Sequence, residues 1–178
     1  MKPDQEKYPA LLRLIHWIMA VCIIGMIASG WYMAGLDSDA PGKYDLYPWH
    51  KSFGVLLLGL IVIRIISRLL SALPTMQESI PLHERRLAKL AHISLYIFMV
   101  MVPLSGFIMS DAGGHDILFF SILLPDLLET DKALSGLAHD IHYYAGYILL
   151  AVVVLHVLGA LKHRFMDKPE NDVLNKML

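Results

Sequence analysis

Residues 137–161 read LAHDIHYYAGYILLAVVVLHVLGAL, an apolar run holding His142 and His156 fourteen positions apart. At about 100° per residue, those steps of α-helix close to within roughly 40° of four full turns, so both imidazoles share a face. The same steps rise about 21 Å, most of a bilayer core of about 30 Å. One helix therefore offers a nitrogen ligand near each side of a membrane, an arrangement suited to electron transfer across it.

The rest of the chain is built to the same scale. Of its 178 residues 56% are hydrophobic and 17% charged, and the mean hydropathy is +0.54, which marks an integral membrane protein. The net charge of −1 gives nucleic acid no electrostatic footing. Four stretches, about 11–34, 49–70, 87–110 and 137–161, are long enough to span. The first exceeds the apolar core of a signal peptide and is followed by no small-x-small cleavage site, so it reads as a retained helix. A further apolar stretch, about 117–128, is too short to span and is broken by Pro125, and reads as an interfacial helix or a cap over helix ends. The expectation is one domain over 1–178: an all-α integral membrane protein, an antiparallel four-helix transmembrane bundle.

Lysine and arginine set the orientation. One side would carry Lys2, Lys7, Arg13, Arg64, Arg68, Arg85, Arg86, Lys89, Lys162, Arg164, Lys168 and Lys176, the other only Lys43, Lys51 and Lys132. Both termini and the 74–81 loop are therefore expected in the cytoplasm. The opposite loops are acidic, with Asp37, Asp39, Asp45, Asp111, Asp116, Asp126, Glu129 and Asp131.

Topology then gives each histidine a depth. His16 opens the first span on the cytoplasmic side, and His50 opens the second on the outer side. With His142 outer and His156 inner on the fourth, two depth-matched pairs result, His50/His142 and His16/His156. Intramembrane imidazoles are costly without partners. Two from facing helices can supply both axial ligands of a haem iron, with the macrocycle between the helices. Cys22 is the only cysteine and no Cys-x-x-Cys-His occurs, so such a haem would be non-covalent. Gly54, Gly146 and Gly159 each lie about one turn from a ligand, where a missing side chain would let a flat ring approach. His16 is followed instead by Trp17, which joins the candidate cofactor contacts. Zinc wants four close ligands and suits pairs about 21 Å apart poorly. The competing reading for any single histidine is a hydrogen-bonded packing residue.

Other polar residues have two readings each. Arg64 and Arg68, one turn apart, could pair with haem propionates or snorkel as topology anchors. His163, seven after His156 and on about the same face, is the first candidate for a quinone carbonyl. His92 reads as a packing histidine, with a proton relay or quinone contact as the alternative. His115, His139 and Asp140 read as solvated residues of the outer mouth.

The stretches LIHW (14–17), WHKSFG (49–54), RIISR (64–68), Ala91-His92 leading to PLSG (103–106), then His142, AGY (145–147), His156 and LKHR (161–164) together resemble bacterial cytochrome b561. This is the small di-haem, quinone-linked family related to the b-subunits of hydrogenase and formate dehydrogenase, and the likeness runs over about residues 8–174. The resemblance implies bis-histidine haem b at both sites with the pairing above, and exchange of electrons with ubiquinone and ubiquinol. Some relatives are similar to superoxide oxidases, which implies a periplasmic donor, superoxide or a protein, feeding the outer haem. The inner haem would pass electrons on, two completing one quinol. Superoxide is an anion, however, and the acidic outer loops offer it Lys51 and Lys132. A non-catalytic conduit for a periplasmic redox partner, and a haem-free scaffold or transporter, are the other function classes the sequence admits.

Overall fold

The computed structural model describes residues 7–75 and 77–178; Lys2, counted above, lies outside them. Four helices follow in chain order: α1 (Ala10–Gly35), α2 (Tyr47–Leu70), α3 (Leu82–Ala112) and α4 (Lys132–Phe165). All four are long and apolar enough to cross a membrane. Their lipid-facing sides keep Leu, Ile and Val exposed, as in Val21, Leu69, Leu70 and Leu155, because hydrocarbon rather than water is the solvent. The ends have local causes. Pro9 and Pro81 immediately precede α1 and α3, and Pro48 sits in the first turn of α2, where no intrahelical N–H is needed. Asp131 caps α4 by accepting from the N–H groups of Ala133 and Leu134 at 2.8 and 3.1 Å. Lys162, His163 and Arg164 close α4 where the helix dipole favours cations. α3 and α4 therefore extend beyond the expected spans, in turns more polar than the apolar windows used to find them.

Consecutive helices pack antiparallel: α1 on α2, α2 on α3, and most extensively α3 on α4. α4 is thus backed by α3, and no comparable interface joins it to α1. We call upper the end carrying the 36–46 and 113–131 connections, and lower the end where α1 begins and α4 stops. At mid-height Ile15, Met19, Ile23, Leu57, Ile61, Leu95 and Leu149 form the buried core, with Ile61 fully enclosed. Leu149 is seven residues from both His142 and His156, so it sits on their face, midway between them.

The 117–128 segment is not a helix. It forms a two-residue hairpin, β1 (Leu118–Phe119) against β2 (Ile122–Leu123), turned at Phe120 with φ +54°. It does act as a cap. The buried Ser52 hydroxyl lies 2.8 Å from both the Pro48 and Leu118 carbonyls, which share its proton, and accepts from the Phe120 N–H at 2.9 Å. Phe120 also packs on Trp49 and Phe53. Asp111 corrects a second expectation: it is buried at the end of α3 and accepts from the Leu127 and Leu128 N–H groups, rather than lying in an acidic loop.

At the lower end, residues 166–178 fold back across the helix ends through two short 3₁₀ turns, Pro169–Asn171 and Asn175–Met177. Arg164 pairs with Asp172, Ser79 donates to the Asn171 side chain at 2.6 Å, and Lys176 donates to the Thr75 carbonyl at 2.8 Å. The Lys176 carbonyl accepts from Tyr8, and the Leu178 carbonyl from Arg13.

Candidate functional site

The four histidines meet in two pairs. His50 and His142 lie with ring centres 6.1 Å apart in the upper half, His16 and His156 with ring centres 6.2 Å apart in the lower half. A metal between two imidazoles needs about 2 Å to each nitrogen and about 1 Å more to each ring centre, roughly 6 Å in all. Both separations fit that span.

In the upper pair each Nδ1 has an oxygen behind it that can accept its proton. The His142 Nδ1–H donates to the Val102 carbonyl at 2.8 Å, which can only accept. Ser29 Oγ donates to the Met26 carbonyl, so it accepts from His50 Nδ1–H at 3.1 Å. Both rings are left with Nε2 as the lone-pair nitrogen, as for metal-ligating histidines whose other nitrogen is bound to an acceptor. Two glycines make room for them. A Cβ on Gly106 would stand 2.9 Å from the His142 ring, and one on Gly30 would stand 3.3 Å from His50 Cε1. A largely apolar cavity of about 1210 Å³ opens beside the pair, reaching Gly54 and Gly146 and, at its mouth, Lys43, Lys51, His115 and His139. These features fit a flat, apolar, metal-centred group gripped by two Nε2 atoms.

The lower pair is built differently. Arg64 lies 3.2 Å from His16 Nδ1 and 3.4 Å from the Leu12 carbonyl. A guanidinium only donates, so here His16 Nδ1 is the acceptor and the ring proton sits on Nε2. His92 brings a third imidazole, its ring centre 5.4 Å from that of His156, shorter than two ligands on opposite sides of one metal would need. The charge of Arg68 faces His92. Trp17 packs edge-on against His16 at 5.3 Å and gives its indole N–H to the Met177 carbonyl at 2.9 Å, so the folded-back tail holds it.

His163 lies below, half a turn inside the end of α4. Its Nδ1 is 2.7 Å from Asp167 and its Nε2 3.8 Å from Glu84, while Lys162 reaches both Glu84 oxygens at 2.6 Å. The hydrogen bond from His163, and after it that from Lys162, hold the Asp167 carboxyl below its ordinary range against some desolvation. Glu84, His163 and Asp167 converge closely, but Lys162 is the cation in their midst. His139 lies 3.4 Å from Asp140, both exposed.

Gly54 and Gly146 line the open cavity, where a flat ring could approach. Nothing lies within 4 Å of where a Cβ would stand at Gly146 or Gly159, and Gly54 would meet only Met26. The glycines in contact with the rings are Gly30 of α1 and Gly106 of α3. Gly106 had a signal in the Pro-Leu-Ser-Gly stretch; Ser29 and the Val102 carbonyl had none, being contributed by neighbouring helices. His115 and His139, read as loop and surface histidines, face the cavity mouth.

A family described as prokaryotic cytochrome b561 matches residues 7–178. The chain is 33% identical over 175 residues to cytochrome b561 homolog 2 of Escherichia coli (strain K12), covering 97% of this chain and 92% of that one. It is 27% identical over 186 residues to the Yersinia pestis protein named probable superoxide oxidase CybB, covering 97% and 96%. Likeness to cytochrome b561 homolog 1 of Escherichia coli (strain K12) is 24% over 167 residues, 92% of each chain.

Proposed function

Because the chain belongs to the prokaryotic cytochrome b561 family, a family of b-haem membrane electron carriers, we propose that it moves electrons across the bacterial inner membrane between a periplasmic donor and the ubiquinone pool through two haems b. His50 and His142 would hold one haem and His16 and His156 the other. The observation that carries this reading is the repeated ring separation, 6.1 and 6.2 Å, at two depths about 21 Å apart along α4. With the lysine and arginine bias, the upper pair is periplasmic and the lower pair and both termini cytoplasmic.

Bound haem supplies a one-electron carrier at each depth. The protein's own residues do the rest. Val102 and Ser29 aim the upper imidazoles, Gly30 and Gly106 admit them, and the apolar core keeps water from the space between the tiers. Arg68 stands where a propionate of the lower haem could be neutralised, while Arg64 is engaged with His16 Nδ1 and the Leu12 carbonyl. His163, held through Nδ1–H by Asp167, would as an imidazolium give the Nε2 proton to a quinone oxygen at the cytoplasmic end and regain it from the cytoplasm, with Glu84 beside it.

Superoxide is the proposed donor. A relative is named as a probable superoxide oxidase, and Lys43, Lys51, His115 and His139 line the cavity mouth, giving an anion local basic groups within otherwise acidic loops. The first test is a reduced-minus-oxidised spectrum with pyridine haemochrome quantitation. Two low-spin haems b per chain are expected; none, in cells replete with haem, would overturn the proposal. Superoxide-driven ubiquinone reduction by the pure protein would then separate a self-sufficient oxidoreductase from a conduit that needs a partner.

A further inference from the structure

We propose that Arg64 makes the lower imidazole pair the more electron-attracting of the two, so that a single electron shared between the tiers rests mainly on the cytoplasmic one. The inference builds on the reading that each pair holds a haem. It starts from an asymmetry in what each ligand histidine meets behind its ring. In the upper pair both Nδ1–H groups donate to acceptors, Val102 O and Ser29 Oγ. Donation of that kind makes an imidazole a more basic ligand and favours the oxidised metal.

In the lower pair one ligand, His16, has the opposite environment. His16 Nδ1 faces a guanidinium, which has no lone pair to accept with. When His16 commits Nε2 to iron its proton moves to Nδ1, and Arg64 cannot receive it. The guanidinium keeps the Leu12 carbonyl within reach at 3.4 Å and remains a full positive charge beside the ligand. The charge of Arg64 also reaches His156, and those of Arg64 and Arg68 both reach His92. In an apolar interior such charges act over longer distances than in water, and they favour the state with one more electron. Two tiers with the same ligand atoms thus differ in their surroundings, in the sense that draws electrons from the periplasmic side inward.

The test is a spectroelectrochemical titration of one site at a time. His142→Ala leaves the lower haem and His156→Ala the upper one. The lower is expected to be favoured at least tenfold in its reduction constant, about 59 mV for one electron. Arg64→Gln in the His142→Ala background should lower that site about tenfold, and Arg64→Lys should retain most of the difference. Ser29→Ala in the His156→Ala background should raise the upper site. An inverted or equal order overturns the inference. So does Arg64→Gln that leaves the lower site unchanged, that raises it (His16 then binding as an imidazolate held by the arginine), or that abolishes lower haem binding, making Arg64 a holder rather than a tuner. Unmutated protein without haem would instead sink the parent reading, which two haems of equal potential would leave intact.

Discussion

Replacing Gly106 with alanine should separate the stability of the bundle from its capacity to hold the upper haem. The new methyl carbon would lie 2.9 Å from His142 Cε1 and Nδ1, where ordinary contact begins at 3.4 Å, so the ring must retreat by about 0.5 Å. Retreat stretches the 2.8 Å bond from Nδ1 to the Val102 carbonyl to at most about 3.3 Å, the weak end of the range. That gives up part of about 1 kcal/mol of net hydrogen bonding, and a displaced torsion adds about 0.5–1.5 kcal/mol. A disturbed partner behind a metal-ligating histidine costs roughly tenfold or more in affinity. The helix gains by the same change, since alanine is better than glycine in a helix interior by about 1 kcal/mol. Haem-free Gly106→Ala should therefore lose no more than about 1.5 kcal/mol of stability, while its haem content falls from two toward one and titrated haem binds the upper site at least tenfold more weakly. Gly59→Ala, an exposed helix glycine with nothing within 4 Å, is the control and should keep both haems. Two fully occupied sites with unchanged affinity in Gly106→Ala would refute the claim that His142 is fixed where the structure puts it.

The ligand assignment predicts that His50→Ala and His142→Ala each lose one haem and His16→Ala and His156→Ala the other; four variants that all kept two haems would dissolve the pairing. Ser52→Ala removes a buried hydroxyl that joins Pro48, Leu118 and Phe120, and should cost about 1–3 kcal/mol, with faster proteolysis within 113–131 as the local readout. Asp167, whose carboxyl is held below its ordinary value of 3.8 chiefly by the His163 hydrogen bond, contributes stability that is present above pH 3.8 and is lost as pH falls through the lowered value. An acid titration of thermal stability should show that step below pH 3.8 in the parent and not in Asp167→Asn; an unshifted step would mean that the His163–Asp167 contact does not persist in solution.

The four spans were legible because apolar runs of that length signal membrane helices, and the histidine depths followed from counting along them. The 117–128 segment was half legible. Pro125 and its length excluded a span, but a hairpin held by Ser52 of another helix leaves no local periodicity to read. The same limit hid Ser29, Gly30 and the Val102 carbonyl, since what a helix offers its neighbour depends on rotation and register between helices. His92 was placed at the right depth, yet its approach to His156 at 5.4 Å required the packing of α3 on α4. Arg64 was placed near the lower pair, but its contact with His16 Nδ1, on which the tuning argument rests, has no sequence signature.

The mid-height core has an energetic consequence. Met19, Leu57, Ile61, Leu95 and Leu149 contain no group that can carry a proton, so an electron can pass between the tiers while protons stay on their own sides. Charge is then separated across the membrane with every passage. On the proposed orientation an inward electron climbs about 21 Å of a roughly 30 Å dielectric, against a potential negative inside. At about 2.3 kcal/mol per charge for a full crossing of 100 mV, that is about 1.6 kcal/mol per 100 mV. Throughput is thereby geared to the energised state of the cell: a polarised membrane holds electrons back at the periplasmic tier, and a collapsed one lets them in.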